Sequence, residues 1–193
     1  MRSTCYKRHM TTAKFIRSEA IAAMSRHVLI HGLQTASLRP LAAAAGTSDR
    51  MLIYHFISKD ALLAEIMRNI AADMAMGLTK ALASDDPMPS AVLLRRVWAL
   101  CQTAAQRPVL RIWLELAAVA SREGGAKQQI ANAIAEGFLQ WTRTHLATPD
   151  DAELVLTVFE GMLVLQEAGQ AQAVQRALDR ICDLLTHAAL SRI

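Results

Sequence analysis

Apolar residues recur at intervals of three and four positions along most of this 193-residue chain. The stretch after Ser58 shows the pattern clearly, because Leu62, Ile66 and Ile70 return to one side of a helix with 3.6 residues per turn. Alternating β-branched residues are scarce and aromatic residues make up only 5% of the chain, so strong helix formers dominate. The pattern predicts an all-α protein.

Glycine, proline and capping residues divide the chain into about nine predicted helices. Thr11 or Thr12 is the predicted cap of the first helix, and the segment from Thr148 to Asp151 is the strongest predicted helix start, because it combines a cap, a proline and two acidic residues. Pro108 is expected to break or kink the chain between two body helices. The predicted helices cover approximately residues 12–31, 38–45, 49–55, 59–82, 91–107, 109–122, 127–146, 150–168 and 171–190.

Positive charge is concentrated in the first third of the chain. Residues 1–60 contain nine Lys and Arg but only three Asp and Glu, a net charge of +6. The remaining residues contain twelve basic and fourteen acidic side chains, a net charge of −2. This asymmetry favours a polyanionic partner for the N-terminal part, with a solvated basic face as the alternative.

The cysteines and the hydropathy pattern indicate where the protein works. Cys5, Cys101 and Cys182 are odd in number and far apart, which argues against a disulfide framework or a zinc site and favours a reducing cytoplasm. The apolar runs are shorter than the about 18 residues that a membrane span needs. We therefore expect a cytoplasmic protein without a membrane anchor.

The residues around Gly46 are suited to a helix-turn-helix. Small side chains at positions 42–45 let two short helices approach closely, and Leu41 and Leu52 give each helix an apolar face. The second helix can then enter a DNA major groove while the first braces it. The predicted contact residues of this unit are Thr47, Ser48, Asp49, Arg50, Met51, Tyr54 and His55.

The string from residue 35 to residue 63 resembles the N-terminal signature of the tetracycline-repressor (TetR) family. It reads S-L-R-P-L-A-A-A-A-G-T-S from Ser37, followed by Leu52, Phe56 and S-K-D-A-L-L from Ser58. The resemblance implies a DNA-binding domain at residues 1–57 and a helical ligand-binding and dimerisation domain at residues 58–193. It also implies a repressor that binds a palindromic operator as a homodimer and leaves it when a small-molecule effector binds.

The same resemblance implies individual DNA contacts. Phosphate contacts are expected from Thr47, Ser48, Tyr54, His55 and Lys59. Ser37 is also among the predicted DNA-binding residues. At the tip, Asp49-Arg50-Met51 departs from the usual family residues. Arg50 could reach a guanine edge or a phosphate, and Asp49 could accept from a cytosine amine or support Arg50.

The N-terminal arm before the first helix is basic. Its cationic residues are Arg2, Lys7, Arg8 and Lys14. The arm either adds phosphate or minor-groove contacts or is a charged tail without a partner, and the composition fits both.

The resemblance also implies a pocket between helices four and seven. The candidate lining residues are Trp98, Cys101, Trp113, Glu115, Phe138, Trp141, Phe159 and Met162, with an ordinary core position as the alternative for each. Glu115 and Glu160 interrupt apolar stretches, so that each faces either a ligand or solvent.

The last two helices carry regular apolar seams. The first of them is apolar nearly all round, more than one partner inside the chain could cover, so we expect a second copy to cover it. The candidate interface residues are Leu154, Val158, Gly161, Leu165, Val174, Leu178, Ile181 and Leu185.

Two other classes of protein fit the sequence less well. A helical enzyme would need a catalytic motif, and the chain has no GxSxG, HExxH or glycine-rich phosphate loop. His27 and His31 have a spacing that could hold a metal, but no carboxylate or cysteine accompanies them, so we expect neither a metal nor a cofactor. The other alternative is an interaction protein whose helix-turn-helix no longer binds DNA.

Overall fold

The computed structural model describes residues 16–83 and 86–190 of the chain, and every regular element in these residues is helical. The prediction of an all-α protein with about nine helices is confirmed. Two short 3₁₀ turns, Leu33–Thr35 and Pro149–Asp151, lie between α-helices. The α-helices are α1 (Arg17–His31), α2 (Leu38–Ala44), α3 (Asp49–Phe56), α4 (Lys59–Leu82), α5 (Ser90–Cys101), α6 (Arg107–Glu123), α7 (Gly125–His145), α8 (Ala152–Glu167) and α9 (Ala171–Leu190).

Within the described residues, no helix has both the length and the apolar character required to cross a membrane.

Local hydrogen bonds explain why the N-terminal helices begin where they do. The hydroxyl of Ser48 accepts from the amide of Met51 at 3.3 Å, and that of Ser58 accepts from the amide of Ala61 at 3.1 Å. Both serines therefore cap the starts of α3 and α4. Ser37 occupies the cap position of α2 without a side-chain cap bond.

The predicted boundary between the fifth and sixth helices is misplaced. The chain breaks between α5 and α6 as expected, but Pro108 lies after the break, in the first turn of α6, where its missing amide has no intrahelical acceptor to lose. The preceding helix already ends at Cys101, and the hydroxyl of Thr103 donates to the carbonyl of Leu100 at 2.8 Å in the turn that follows.

The start of α8 also differs from the prediction. Residues Pro149–Asp151 form a 3₁₀ turn and Thr148 makes no side-chain cap bond, so that α8 begins only at Ala152. The carboxylate of Asp151 instead accepts from the hydroxyl of Ser90 at 2.7 Å, which joins the starts of α5 and α8. The predicted caps of α1, Thr11 and Thr12, lie outside the described residues.

The buried side chains form two apolar cores that share helices α4 and α6. The first core joins α1 to α4 with α6 and α7, and includes Met24, Leu52 and Ile66. The second joins the C-terminal half of α4 with α5, α6, α8 and α9, and includes Leu78 of α4 and Leu110 of α6. Because α4 has 24 residues, it extends about 36 Å at 1.5 Å per residue and runs through both cores.

Candidate DNA-binding surface and internal cavity

Helix α3 has one buried face and one exposed face. Leu52 and Phe56 are 0% and 2% exposed and fix the helix against α1, α2 and α4, and Gly46 makes the turn before it with a φ of +64°. The opposite face carries residues that were predicted to contact DNA. Of that predicted set, Ser37, Ser48, Asp49, Arg50, Met51, Tyr54 and Lys59 are exposed, whereas Thr47 and His55 are partly buried.

Arg17 fixes the end of α3 relative to its neighbours. Its guanidinium donates to the backbone carbonyl of His55, pairs with the carboxylate of Glu65 on α4, and lies 4.2 Å from the centre of the Phe56 ring. A single side chain of α1 thus contacts α3 and α4 together. Sequence reasoning missed this role, since its partners lie 38 and 48 positions along the chain.

The turn between α3 and α4 contains a strained residue. Ile57 has a φ of +68° and a ψ of −48°, the strained backbone geometry at the centre of a γ-turn, and its side chain is 86% exposed. Little packing offsets this strain, because the side chain is almost entirely in solvent.

Replacing Ile57 with glycine should stabilise the protein. Glycine has no Cβ and adopts a positive φ without steric strain, so we expect the free energy of unfolding to rise by about 1 kcal/mol in urea denaturation. The matched control is Ile30→Gly, because Ile30 is 74% exposed but lies inside helix α1. An equal change in both variants would contradict the assignment of strain to Ile57.

Lys59 opens helix α4 at the edge of the same surface. The first-turn amides of a helix lack intrahelical acceptors and carry the positive end of its dipole. An exposed ammonium group beside them makes this helix start suitable for an anionic oxygen.

A cavity of about 60 Å³ lies between α4, α5, α6, α7 and α8. It is large enough for several water molecules. Trp113, Phe138, Trp141 and Phe159 line it, as the sequence analysis proposed, and most of the remaining wall is aliphatic. Its polar side chains are Thr142, whose hydroxyl donates to the carbonyl of Phe138, and Glu160.

Four candidate pocket residues do not line this cavity. Trp98, Cys101 and Met162 are 6%, 0% and 3% exposed and belong to the second core. The ring of Trp98 packs edge-on against that of Phe159, with 5.7 Å between centroids, so it supports the wall from behind. Their large or soft side chains signal burial, which sequence alone does not separate from a pocket.

The fourth, Glu115, binds the N-terminal helices instead. Its carboxylate accepts from the backbone amide of Leu33 at 2.7 Å, directly after α1. Gly32, beside the same carboxylate, has a φ of +87°, a backbone conformation that glycine adopts without strain. Glu115 therefore joins α6 to the turn that precedes α2.

Glu160 faces the cavity from α8. Its carboxylate accepts from the indole N–H of Trp113 at 2.8 Å. Burial raises the pKa of Glu160 above its usual range, and the bond from Trp113 offsets part of that rise. Glu160 therefore lies at the wall of the cavity, and whether it contacts a ligand stays a prediction.

The seams of α8 and α9 divide into exposed and buried positions. Leu154 and Leu165 are 49% and 44% exposed. Gly161 is also exposed, and Val158, Ile181 and Leu185 are partly buried. Two further exposed side chains, Val164 and Leu184, were not among the predicted interface residues and are 54% and 53% exposed.

Two of the predicted interface residues are buried within their own chain. Val174 and Leu178 are 1% and 3% exposed and lie in the second core, where α9 packs against α5 and α8 of its own chain. They have almost no surface left for a second copy. Helical periodicity correctly identified a buried face, but it did not identify which helix covers that face.

The remaining sequence candidates add little to the site. The rings of His27 and His31 lie 4.5 Å apart, and the described part of the chain contains no group of three potential metal ligands. The basic arm residues Arg2, Lys7, Arg8 and Lys14 lie outside the described residues.

Known proteins share both the N-terminal sequence and the fold. Residues 21–66 match the family model of the bacterial regulatory proteins, tetR family. No protein of curated function matches the sequence. The chain resembles the multidrug binding protein EbrR complexed with proflavin, with 22% identity, a TM-score of 0.67, and 88% of this chain and 98% of the other covered.

Two further structures give the same result. A transcriptional regulator from Rhodococcus sp. Rha1 has 20% identity and a TM-score of 0.66, covering 89% of this chain and 96% of its own. The regulator FadR from Bacillus subtilis, in complex with stearoyl-CoA, has 13% identity and a TM-score of 0.58, covering 87% and 96%. At these identities the likeness shows the fold.

The helix-turn-helix and the all-helical body give this chain a TetR-like fold. Its helix-turn-helix segment, residues 21–66, is similar in sequence to the tetR family of bacterial regulatory proteins.

Proposed function

We propose that the protein is a homodimeric, cytoplasmic repressor that binds a palindromic DNA operator and releases it when a small molecule enters the body. Residues 1–57 form the DNA-binding domain in this proposal, and residues 58–193 form the effector-binding and dimerisation domain. The observation that carries it is helix α3, whose polar face is exposed while Leu52 and Phe56 hold its other face in the core.

The exposed face of α3 has the chemistry for DNA. Arg50 and Tyr54 supply donors for phosphates or base edges, and Lys59 adds a cation at the start of the next helix. Arg17 contacts the carbonyl of His55 and the ring of Phe56 at the end of α3, and it pairs with Glu65 of α4. These contacts favour a fixed orientation of α3 in the groove.

Pairing of two copies accounts for the apolar side chains on α8 and α9. Leu154, Val164, Leu165 and Leu184 are each 44% to 54% exposed, an apolar surface that a second copy would remove from water. A two-fold dimer places one α3 helix on each half of a palindrome.

The cavity supports a role for a small molecule. Relatives with this fold were solved with proflavin and with stearoyl-CoA, so the fold accommodates ligands of quite different chemistry. Helix α6 connects the cavity to the DNA-binding domain, because Trp113 lines the cavity and Glu115, two residues later, binds the amide of Leu33. A ligand that moves α6 would therefore act on the turn before α2.

Binding to DNA can be tested by selecting bound sequences from random duplexes and measuring affinity against salt. We expect a palindromic site and a strong salt dependence. Lys59→Ala should weaken binding to all DNA sequences by the same factor. It should also reduce the slope of log affinity against log salt by about 0.9 for each lost phosphate contact, or about 2 per dimer.

The matched control is Lys80→Ala, which removes an exposed lysine at the other end of the same helix. It should leave both affinity and slope unchanged. A protein that dimerises but selects no duplex would contradict the proposed function and favour an interaction protein.

A further inference from the structure

Among the described residues that line the cavity, Glu160 is the one with an ionisable side chain. One carboxylate oxygen accepts from the indole N–H of Trp113. Glu160 takes part in none of the ion pairs in the described part of the chain, so no basic side chain neutralises it. A carboxylate beside an apolar cavity thus lacks a countercharge from the protein.

The nearby Cys101 cannot supply one, because a cysteine side chain is either neutral or negative. Burial, together with the charge of Glu160, raises the pKa of Cys101 to about 12, so it stays a neutral thiol at physiological pH and adds no second negative charge. Cys101 is itself 0% exposed and does not reach the cavity. Among the described residues, no side chain therefore supplies the positive charge that would complement Glu160.

The walls around Glu160 are suited to a cation with apolar substituents. Trp113, Phe138, Trp141 and Phe159 line the cavity, and aromatic faces attract cations through their negative π surfaces. Tryptophan gives the strongest such attraction, and two of the four rings are tryptophans. The adjacent Met67 and Met74 have flexible side chains that can enlarge the cavity around a ligand.

A neutral apolar ligand would fit this site less well. It would remove water from the carboxylate without replacing the lost solvation, which is costly for a charged group. A cation would instead pair with Glu160 in surroundings where water screens the attraction little. Charge and wall chemistry therefore select the same class of ligand.

We propose that the effector is a small organic cation with apolar or aromatic substituents, whose charge pairs with Glu160 and whose body packs against the aromatic walls. This inference rests on the proposed function for the consequence of binding, and it names the ligand class of the same cavity. The binding step itself is independent of DNA.

Two probes of the same shape isolate the charge. Phenyltrimethylammonium and tert-butylbenzene differ in a single central atom and in charge, and each can be titrated into the full chain by calorimetry. We expect the cation to bind at least about tenfold more tightly than the neutral compound. Equal affinity, or preference for tert-butylbenzene, would overturn the proposal without any variant.

Glu160→Gln then assigns the effect to one carboxylate. The amide keeps the size of the side chain and an oxygen for the indole N–H of Trp113, so the wall should persist. Affinity for the cation should fall about tenfold or more, while affinity for tert-butylbenzene stays the same or rises. The control Glu136→Gln removes an exposed carboxylate from α7 and should change neither.

Measurements on operator DNA separate this inference from the proposed function. If neutral compounds release the DNA and the cation does not bind, the proposed ligand class is wrong, but the proposed function as a regulator is supported. If the cation binds through Glu160 but no duplex is bound, the ligand class stands and the proposed function fails. Unchanged cation binding in Glu160→Gln would refute the role of that residue.

Discussion

Replacing Leu165 with glutamate is expected to convert the proposed dimer to a monomer and to weaken its binding to a palindromic operator about a hundredfold or more. Leu165 is 44% exposed on α8, beside exposed Val164. In a two-fold interface the new carboxylate would occur twice. Each of the two carboxylates would lose its hydration without a positively charged partner to pair with. Loss of the dimer removes the advantage of binding two half-sites together.

Light scattering measures the mass in solution, and fluorescence anisotropy measures the affinity for one and for two half-sites. Affinity for a single half-site should stay nearly constant, because α3 is remote from the substitution. The matched control is Met76→Glu, which places the same charge at a 66% exposed residue of α4. A Leu165→Glu variant that remains dimeric would show that another surface joins the two copies.

Replacing Glu115 with alanine is expected to separate the cavity from the DNA-binding domain. The amide of Leu33 would lose a charged acceptor at 2.7 Å, and such bonds contribute about 1.5–3 kcal/mol. We therefore expect a lower free energy of unfolding and faster hydrogen exchange at the Leu33 amide. The difference in DNA affinity with and without a releasing compound should shrink by about tenfold or more.

The control is Glu123→Ala on the same helix. Glu123 pairs with Lys127 within the body at 2.8 Å, and this surface pair contributes little to stability. Its removal should leave the response to the compound intact. If Glu115→Ala keeps the full response, coupling does not pass through the contact between α6 and Leu33.

The sequence predicted the helices and the helix-turn-helix because those features depend on neighbouring residues. The hydroxyls of Ser48 and Ser58 cap helices that begin one residue later, and Gly46 provides a positive φ between α2 and α3. Pro108 was misinterpreted because proline both ends a helix and begins one, and its neighbours do not determine which.

The contacts between distant segments could not be predicted in this way. Glu115 and Leu33 are 82 positions apart, and Trp113 and Glu160 are 47 apart. An isolated glutamate in an apolar stretch signals a special environment, but not its partner. The same limit explains Val174, because a periodic apolar face is equally suited to a helix of its own chain and to a second copy.

Helix α4 is shared by the two apolar cores, and this has a thermodynamic consequence. Ile66 lies in one core and Leu78 in the other, only a few turns apart on a continuous helix. Neither core can lose its structure while the other keeps α4 intact, so the two regions should melt as one cooperative unit. Any molecule that binds the folded cavity therefore also protects the helix-turn-helix against unfolding, even where, as proposed, it releases that unit from DNA.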